Sequence, residues 1–137
     1  MDKALNYLAL GKKGRLAELG EEPVGAVARA VKARLVIVAS DASDHTWRRA
    51  KSFVAGTDQQ CIRVSFTKEE LGFVVGRTSL AIAAFTDAAL ALAFVKALPN
   101  AEKFADVEVR LDEKARKLRQ RREEAKAHER NVRKGKK

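Results

Sequence analysis

Apolar and polar positions along this chain follow two rhythms that take turns. Leu35-Val36-Ile37-Val38-Ala39 is an unbroken apolar run rich in β-branched residues. It predicts a central strand buried on both faces. Leu80–Phe85 is a second such run, and Leu16 to Leu19 predicts a short strand. Cys61-Ile62-Arg63-Val64-Ser65-Phe66 alternates, so one face should be covered and the other partly exposed. Between these runs the spacing turns helical. Leu5, Leu8 and Ala9 share a face over residues 2–13, and Val24, Val27, Ala28 and Val31 do so over 23–32. A third helix is predicted from about His45 to Ala55, a fourth carries Leu71, Val74 and Val75, and a nearly all-apolar fifth spans Ala88 to Leu98.

The punctuation agrees. Gly11 and Gly14 are expected to break the first helix, and Pro23 fits a first helical position, where no N–H is needed. Ser40-Asp41-Ala42-Ser43-Asp44 is rich in capping side chains, Gly56 and Gly76 stop helices, and Thr86-Asp87 caps the fifth. Thr67-Lys68-Glu69-Glu70 reads as a capping box. Strands with helices between them imply an α/β fold with both sheet faces covered. The expectation is a three-layer α/β/α sandwich with a mixed sheet of about four strands over residues 1–98. Pro99-Asn100 marks its end, because the residue before a proline resists helix.

Residues 99–137 read as a basic, partly helical extension. Leu111, Ala115, Leu118 and Ala125 give a thin apolar stripe, so a mostly solvated helix is expected from about Leu111, fraying into a disordered end at Lys134-Gly135-Lys136-Lys137. Asp112/Arg116, Glu113/Lys117, Arg119/Glu123 and Glu129/Arg133 stand at i,i+4.

Charge adds a partner to this picture. The chain of 137 residues has a net charge of +10, which calls for a polyanion, in a soluble protein usually nucleic acid. The region from Lys114 to Lys137 holds 12 basic and 3 acidic side chains and most of the excess. A single cysteine, Cys61, allows no internal disulfide and suits a cytoplasmic setting. No signal peptide or membrane span is legible. An enzyme is not expected. Asp41, Asp44 and His45 lie close in sequence but read as turn and cap chemistry, and His128 lies in the tail. No metal and no cofactor is expected.

The stretch Gly20-Glu21-Glu22-Pro23-Val24-Gly25 carries the best site signal. A glycine turn onto a helix N-terminus presents backbone N–H groups to an acceptor such as phosphate. Trp47 with Arg48, Arg49 and Lys51 offers a stacking aromatic among cations, but a ring covering the sheet explains it more simply. Arg29, Lys32 and Arg34 read as solvent-facing support.

Three segments together carry a resemblance. They are Gly14-Arg15-Leu16 through Gly20-Glu21-Glu22, then Ala33 to Ser43, then Phe66-Thr67-Lys68-Glu69-Glu70-Leu71-Gly72 through Gly76 to Asp87. Over roughly residues 3–98 the chain resembles the ribosomal protein L-seven-Ae superfamily, most closely its bacterial YlxQ-like branch. The resemblance implies an α/β/α sandwich that binds kink-turn RNA, a bent duplex with tandem sheared G·A pairs. Family members read those pairs with Gly-x-Asn-Glu and a Lys one helical turn on. Here the glycine is Gly20, but Glu22, Pro23 and Ala26 stand at the other positions. Glu22 accepts hydrogen bonds but cannot donate as an amide does. Contact through backbone and shape is therefore implied, with weaker base readout. A second family contact corresponds to the loop Arg77, Thr78, Ser79 and Leu80, where Arg77 adds a cation.

The expected RNA-binding residues are therefore Lys12, Lys13, Arg15, Gly20, Glu21, Glu22, Arg77, Thr78, Ser79 and Leu80. The expected function is that of a non-enzymatic, monomeric RNA-binding protein resembling ribosomal kink-turn binders, acting within a ribonucleoprotein. Its partner would be structured RNA, kink-turn or ribosomal, with the tail adding unspecific affinity. The alternative is a ribosome-associated protein-interaction module, with ribosomal proteins as partners, that has lost kink-turn specificity.

Overall fold

A computed structural model describes residues 2–135, with side chains through residue 130. Four strands, β1 (Ala17–Leu19), β2 (Leu35–Val38), β3 (Gln60–Arg63) and β4 (Ile82–Phe85), form one sheet in the order β1-β4-β2-β3. β2 and β3 are parallel, and β4 runs antiparallel to β1 and β2. The sheet is mixed, as expected. The helices are α1 (Lys3–Lys13), α2 (Glu21–Arg29), α3 (Asp44–Val54), α4 (Lys68–Val74), α5 (Ala88–Lys96) and α6 (Ala105–Gly135), with a 3-10 turn at Ala101–Phe104.

Side chains alternate across a strand, so each central strand feeds two cores. Leu35, Ile37, Ala83 and Phe85 join Leu8, Leu71, Phe94 and Leu111 on one face. Val36, Val38, Ile82 and Ala84 join Val24, Ala28 and Ala50 on the other. Helices α1, α4, α5 and α6 thus cover one face, and α2 and α3 the other. β2 and β4 are buried throughout.

Local chemistry sets the helix ends. Thr67 and Glu70 form the capping box, and Asp87 accepts the Leu90 N–H at 2.9 Å. Ser43 Oγ accepts the Thr46 N–H at 3.1 Å, and Asp41 Oδ1 accepts the Lys68 N–H at 2.8 Å. The acidic turn therefore caps two helices.

Several elements differ from expectation. Gly11 does not break α1 but lies buried inside it. A Cβ there would meet the Ala17 Cβ at 3.0 Å and Leu90 at 3.2 Å, so the glycine lets α1 approach the sheet and α5. Pro23 occupies the third position of α2, not the first. No intrahelical acceptor exists for that position's N–H either, so proline is equally tolerated. The strand at 61–66 ends at Arg63.

Helix α6 starts at Ala105, ahead of the expected start near Leu111, and one face of it is docked. Leu111 is 1% exposed and Ala115 is also buried, docked against the core under α5. Of the expected i,i+4 pairs, Asp112–Arg116 closes at 3.0 Å. Among the described residues Glu113/Lys117 and Arg119/Glu123 do not form ion pairs. The Arg133 side chain and the end at Lys136-Lys137 lie outside the described residues.

Candidate nucleic-acid interface

The site forms where the chain leaves β1 and where it enters β4. Because β1 and β4 are antiparallel neighbours, these two points share one end of the sheet. Gly20 is fixed from both sides: its N–H donates to the Ile82 carbonyl at 3.0 Å, and its carbonyl accepts the Val24 N–H at 3.1 Å. Its backbone sits at φ 94°, ψ 162°, a region open essentially to glycine alone. Gly20 is thus the N-cap of α2 and contributes no side chain. The N–H groups of Glu21 and Glu22 belong to the first turn and have no acceptor within the helix. Both carboxylates complement the positive end of the helix dipole. Glu21 is also paired with Arg49 of α3, while Glu22 is exposed.

The second loop follows α4. The helix ends with Gly76 at φ 74°. The Arg77 N–H donates to the Gly72 carbonyl at 2.8 Å, and the Gly76 N–H reaches the Phe73 carbonyl at 3.4 Å. This is the Schellman pattern. Arg77 takes the position after the left-handed glycine, where an apolar residue commonly packs back on the helix, and here its side chain is exposed. The guanidinium turns to the other loop: a Cβ added at Gly20 would lie 3.6 Å from Arg77 Nη1.

Lys12 completes the edge. Its Nζ donates to the Val75 carbonyl at 2.6 Å, at the C-terminal end of α4, where the helix dipole favours a cation. It stands beside Gly76, whose Cβ, if present, would be 3.8 Å from that nitrogen. Lys12, Arg77 and the start of α2 therefore form one surface.

Of the other expected residues, Thr78 and Ser79 are exposed on this loop. Lys13 and Arg15 are exposed where α1 gives way to β1. Among the described residues no side-chain hydrogen bond or ion pair joins Lys13 or Arg15 to the loops. Leu80 does not belong to the surface. Its side chain is 3% exposed in the core, and its N–H donates to the Lys68 carbonyl at 2.9 Å. It anchors the loop because an apolar side chain at the entrance to a central strand gains more by burial than by facing water.

Gly72 is the site residue that sequence reasoning passed over. A Cβ there would meet the Ser79 nitrogen and the Arg77 carbonyl oxygen, each at 2.8 Å. The loop lies directly on the glycine. A signal was present, since glycine inside a short helix costs about 1 kcal/mol relative to alanine and calls for a reason such as close approach.

Trp47 packs on the α2–α3 face of the sheet. Lys51 Nζ and the Arg63 guanidinium stand 5.4 and 5.1 Å from its ring centroid. The ring covers the sheet and holds two cations. Burial pushes the Cys61 thiol up to about 12, with Lys51 acting weakly the other way. Arg34 departs from its expected solvent-facing position: it is half-buried, and its Nε is shielded from water. Among the described residues no cluster of His, Cys, Asp and Glu is placed to hold a metal, and no helix is long and apolar enough to cross a membrane.

No protein-family model matches the chain, and no curated protein matches it. Solved structures do. A protein of unknown function from Bacillus halodurans C is 26% identical and superposes with a TM-score of 0.62, over 69% of this chain and 98% of that one. A 15.5kD RNA binding protein from Giardia lamblia is 19% identical with a TM-score of 0.54, over 75% of this chain and 88% of that one. The latter likeness is one of fold.

Proposed function

We propose that this chain is a non-enzymatic RNA-binding protein of the L-seven-Ae type, working in the cytoplasm. It grips structured RNA at the edge formed by Lys12, Gly20–Glu22 and Gly76–Ser79. The observation that carries this reading is the meeting of two sequence-distant loops at Gly20 and Arg77. One offers backbone N–H groups with no acceptor within the helix, and the other an exposed guanidinium with no ion-pair partner among the described residues. The fold shared with the Giardia RNA binding protein supports it, as does the net charge of +10.

The acidic first turn of α2 shapes the mode of contact. A phosphate seated squarely on that terminus would face Glu22, so phosphate goes to Lys12 and Arg77. The α2 terminus instead meets base edges, whose amino groups can donate to the Glu22 carboxylate. Without the amide and lysine of the fuller motif, recognition rests on backbone and shape, and a bent, kink-turn-like RNA is preferred weakly. The test is titration with a kink-turn RNA, the same RNA with its sheared G·A pairs replaced, and a plain duplex. A modest preference for the intact kink-turn is expected. Equal binding to all three rejects kink-turn preference, and no binding rejects the RNA reading.

A further inference from the structure

The opposite end of the sheet carries a second cationic site. It is built on Gln59, a buried polar side chain. Gln59 Oε1 accepts the Ala33 N–H at 2.9 Å, and its Nε2 donates to the Ala28 carbonyl at 3.2 Å and to Thr57 Oγ1 at 3.0 Å. One amide thus locks the turn before β2 to the turn before β3. The residues that follow and precede these anchors are Arg34 and Asp58. The Arg34 N–H is itself held by the Phe85 carbonyl at 2.8 Å. The two ends of β4 therefore hold different sites: the Ile82 carbonyl fixes Gly20, and the Phe85 carbonyl fixes Arg34.

Helix α6 closes the second site. Leu111 anchors it to the core with Ala115 buried beside it, and Lys114 Nζ pairs with Asp58 at 2.6 Å. Between them lies an open cleft of about 270 Å³ lined by Arg34, Asp58, Lys114, Lys117, Leu118 and Arg121. Four cations face one carboxylate, and that carboxylate is already engaged by Lys114. Arg34 Nε is buried without a hydrogen-bond partner among the described residues, a donor that ordinarily finds an acceptor. Lys114, Lys117 and Arg121 stand at i, i+3 and i+7, one face of the helix. They rise about 10 Å, some three phosphate steps along a strand.

We propose that this cleft is a second RNA contact, taking consecutive backbone phosphates. The inference rests on the RNA-binding reading above and adds to it a discrete site where only diffuse tail charge was expected. Backbone phosphates suit the cleft because its donors are charged and repetitive and it offers no apolar pocket for a base.

The test compares two charge-matched triple variants of the full chain. One is Arg34→Gln, Lys117→Gln and Arg121→Gln in the cleft. The other is Arg122→Gln, Lys126→Gln and Arg130→Gln on the exposed part of α6. RNA affinity is measured from 50 to 200 mM salt. The cleft triple is expected to flatten the dependence of log K on log salt by about two units, at about 0.7–0.9 per lost phosphate contact, and to weaken binding at least about tenfold at the lower salt. The exposed triple is expected to change the slope by less than about half as much. The pair Lys117→Gln with Arg121→Gln, both exposed, repeats the test without touching the half-buried arginine. Equal loss in both triples, or none in the cleft variants, overturns the site while leaving RNA binding at the loop edge intact. Failure of the unaltered protein to bind RNA overturns both readings.

Discussion

The backbone of Ser79 occupies the space in which Gly72 would carry a side chain: its nitrogen stands 2.8 Å from where that Cβ would be. The Arg77–Ser79 loop is thereby laid against α4 and pointed at the start of α2. This packing contact, together with the left-handed turn at Gly76, sets the geometry of the loop.

Gly72→Ala should therefore displace the loop. The obstructing atoms are backbone, which cannot rotate away, so the substitution is expected to cost about 1–3 kcal/mol as an overpacked site. RNA affinity should fall with it. Thermal unfolding and RNA titration of the same sample check both effects. Unchanged stability would show that the contact is looser than the structure has it.

Arg77→Gln removes the charge without touching a core residue. Stability should stay within about 0.5 kcal/mol, and the salt slope of RNA binding should fall by about one unit. A salt series before and after the substitution decides this. An unaltered slope would remove Arg77 from the interface.

Val31 is a β-branched residue held at φ 56°, in the left-handed region, and it is exposed. The Lys32 N–H donates to the Val27 carbonyl at 2.9 Å and the Val31 N–H to the Ala28 carbonyl at 2.9 Å. This is the same helix-ending pattern that Gly76 makes, with valine where glycine is at ease. Val31→Gly is expected to stabilise the fold by about 1 kcal/mol, relief of a strain of about 1–2 kcal/mol being partly offset by entropy gained in the unfolded chain. Chemical denaturation reads the gain, and RNA binding at the loop edge should not change.

The hydrogen bond from Lys114, more than any other influence, holds the Asp58 carboxyl below its usual value of 3.8. A group depressed on folding contributes stability above its unfolded value and loses it as pH falls through the folded one. The α6 docking should accordingly weaken only in acid, below about pH 4. Asp58→Asn should lower stability slightly at pH 7 and not at pH 2. Asp58 is exposed to solvent, so the effect is small. Denaturation curves of both proteins at the two pH values measure it, and an equal difference at both would show that the ion pair is not its source.

Much of the fold was legible because its signals are local. The unbroken run at Leu35–Val38 became a strand buried on both faces, and Thr67 with Glu70 became a capping box. The misread features all depend on partners distant in sequence. Gly11 looks like a helix breaker until Ala17 and Leu90 fill the space over it. Leu111 and Ala115 form a stripe too thin to announce a core contact, yet both are buried where α6 packs against α5. Leu80 reads both as the start of an apolar run and as a binding-loop residue, and its burial in the core removes it from the surface. The site divided in the same way: Gly20 was readable from its turn, whereas the reach of Arg77 to it and the Gln59 bridge exist only once strands pair.

The central claim is that RNA sits on the edge where the Gly20 and Arg77 loops meet. Backbone amide shifts of isotope-labelled protein, followed during titration with a kink-turn RNA, test it most directly. The largest changes are expected at Gly20–Glu22 and Gly76–Ser79, with smaller ones at Arg34 and Lys117. Changes confined to the exposed part of α6, beyond Leu118, would contradict it and make the tail the binder and the sandwich its support.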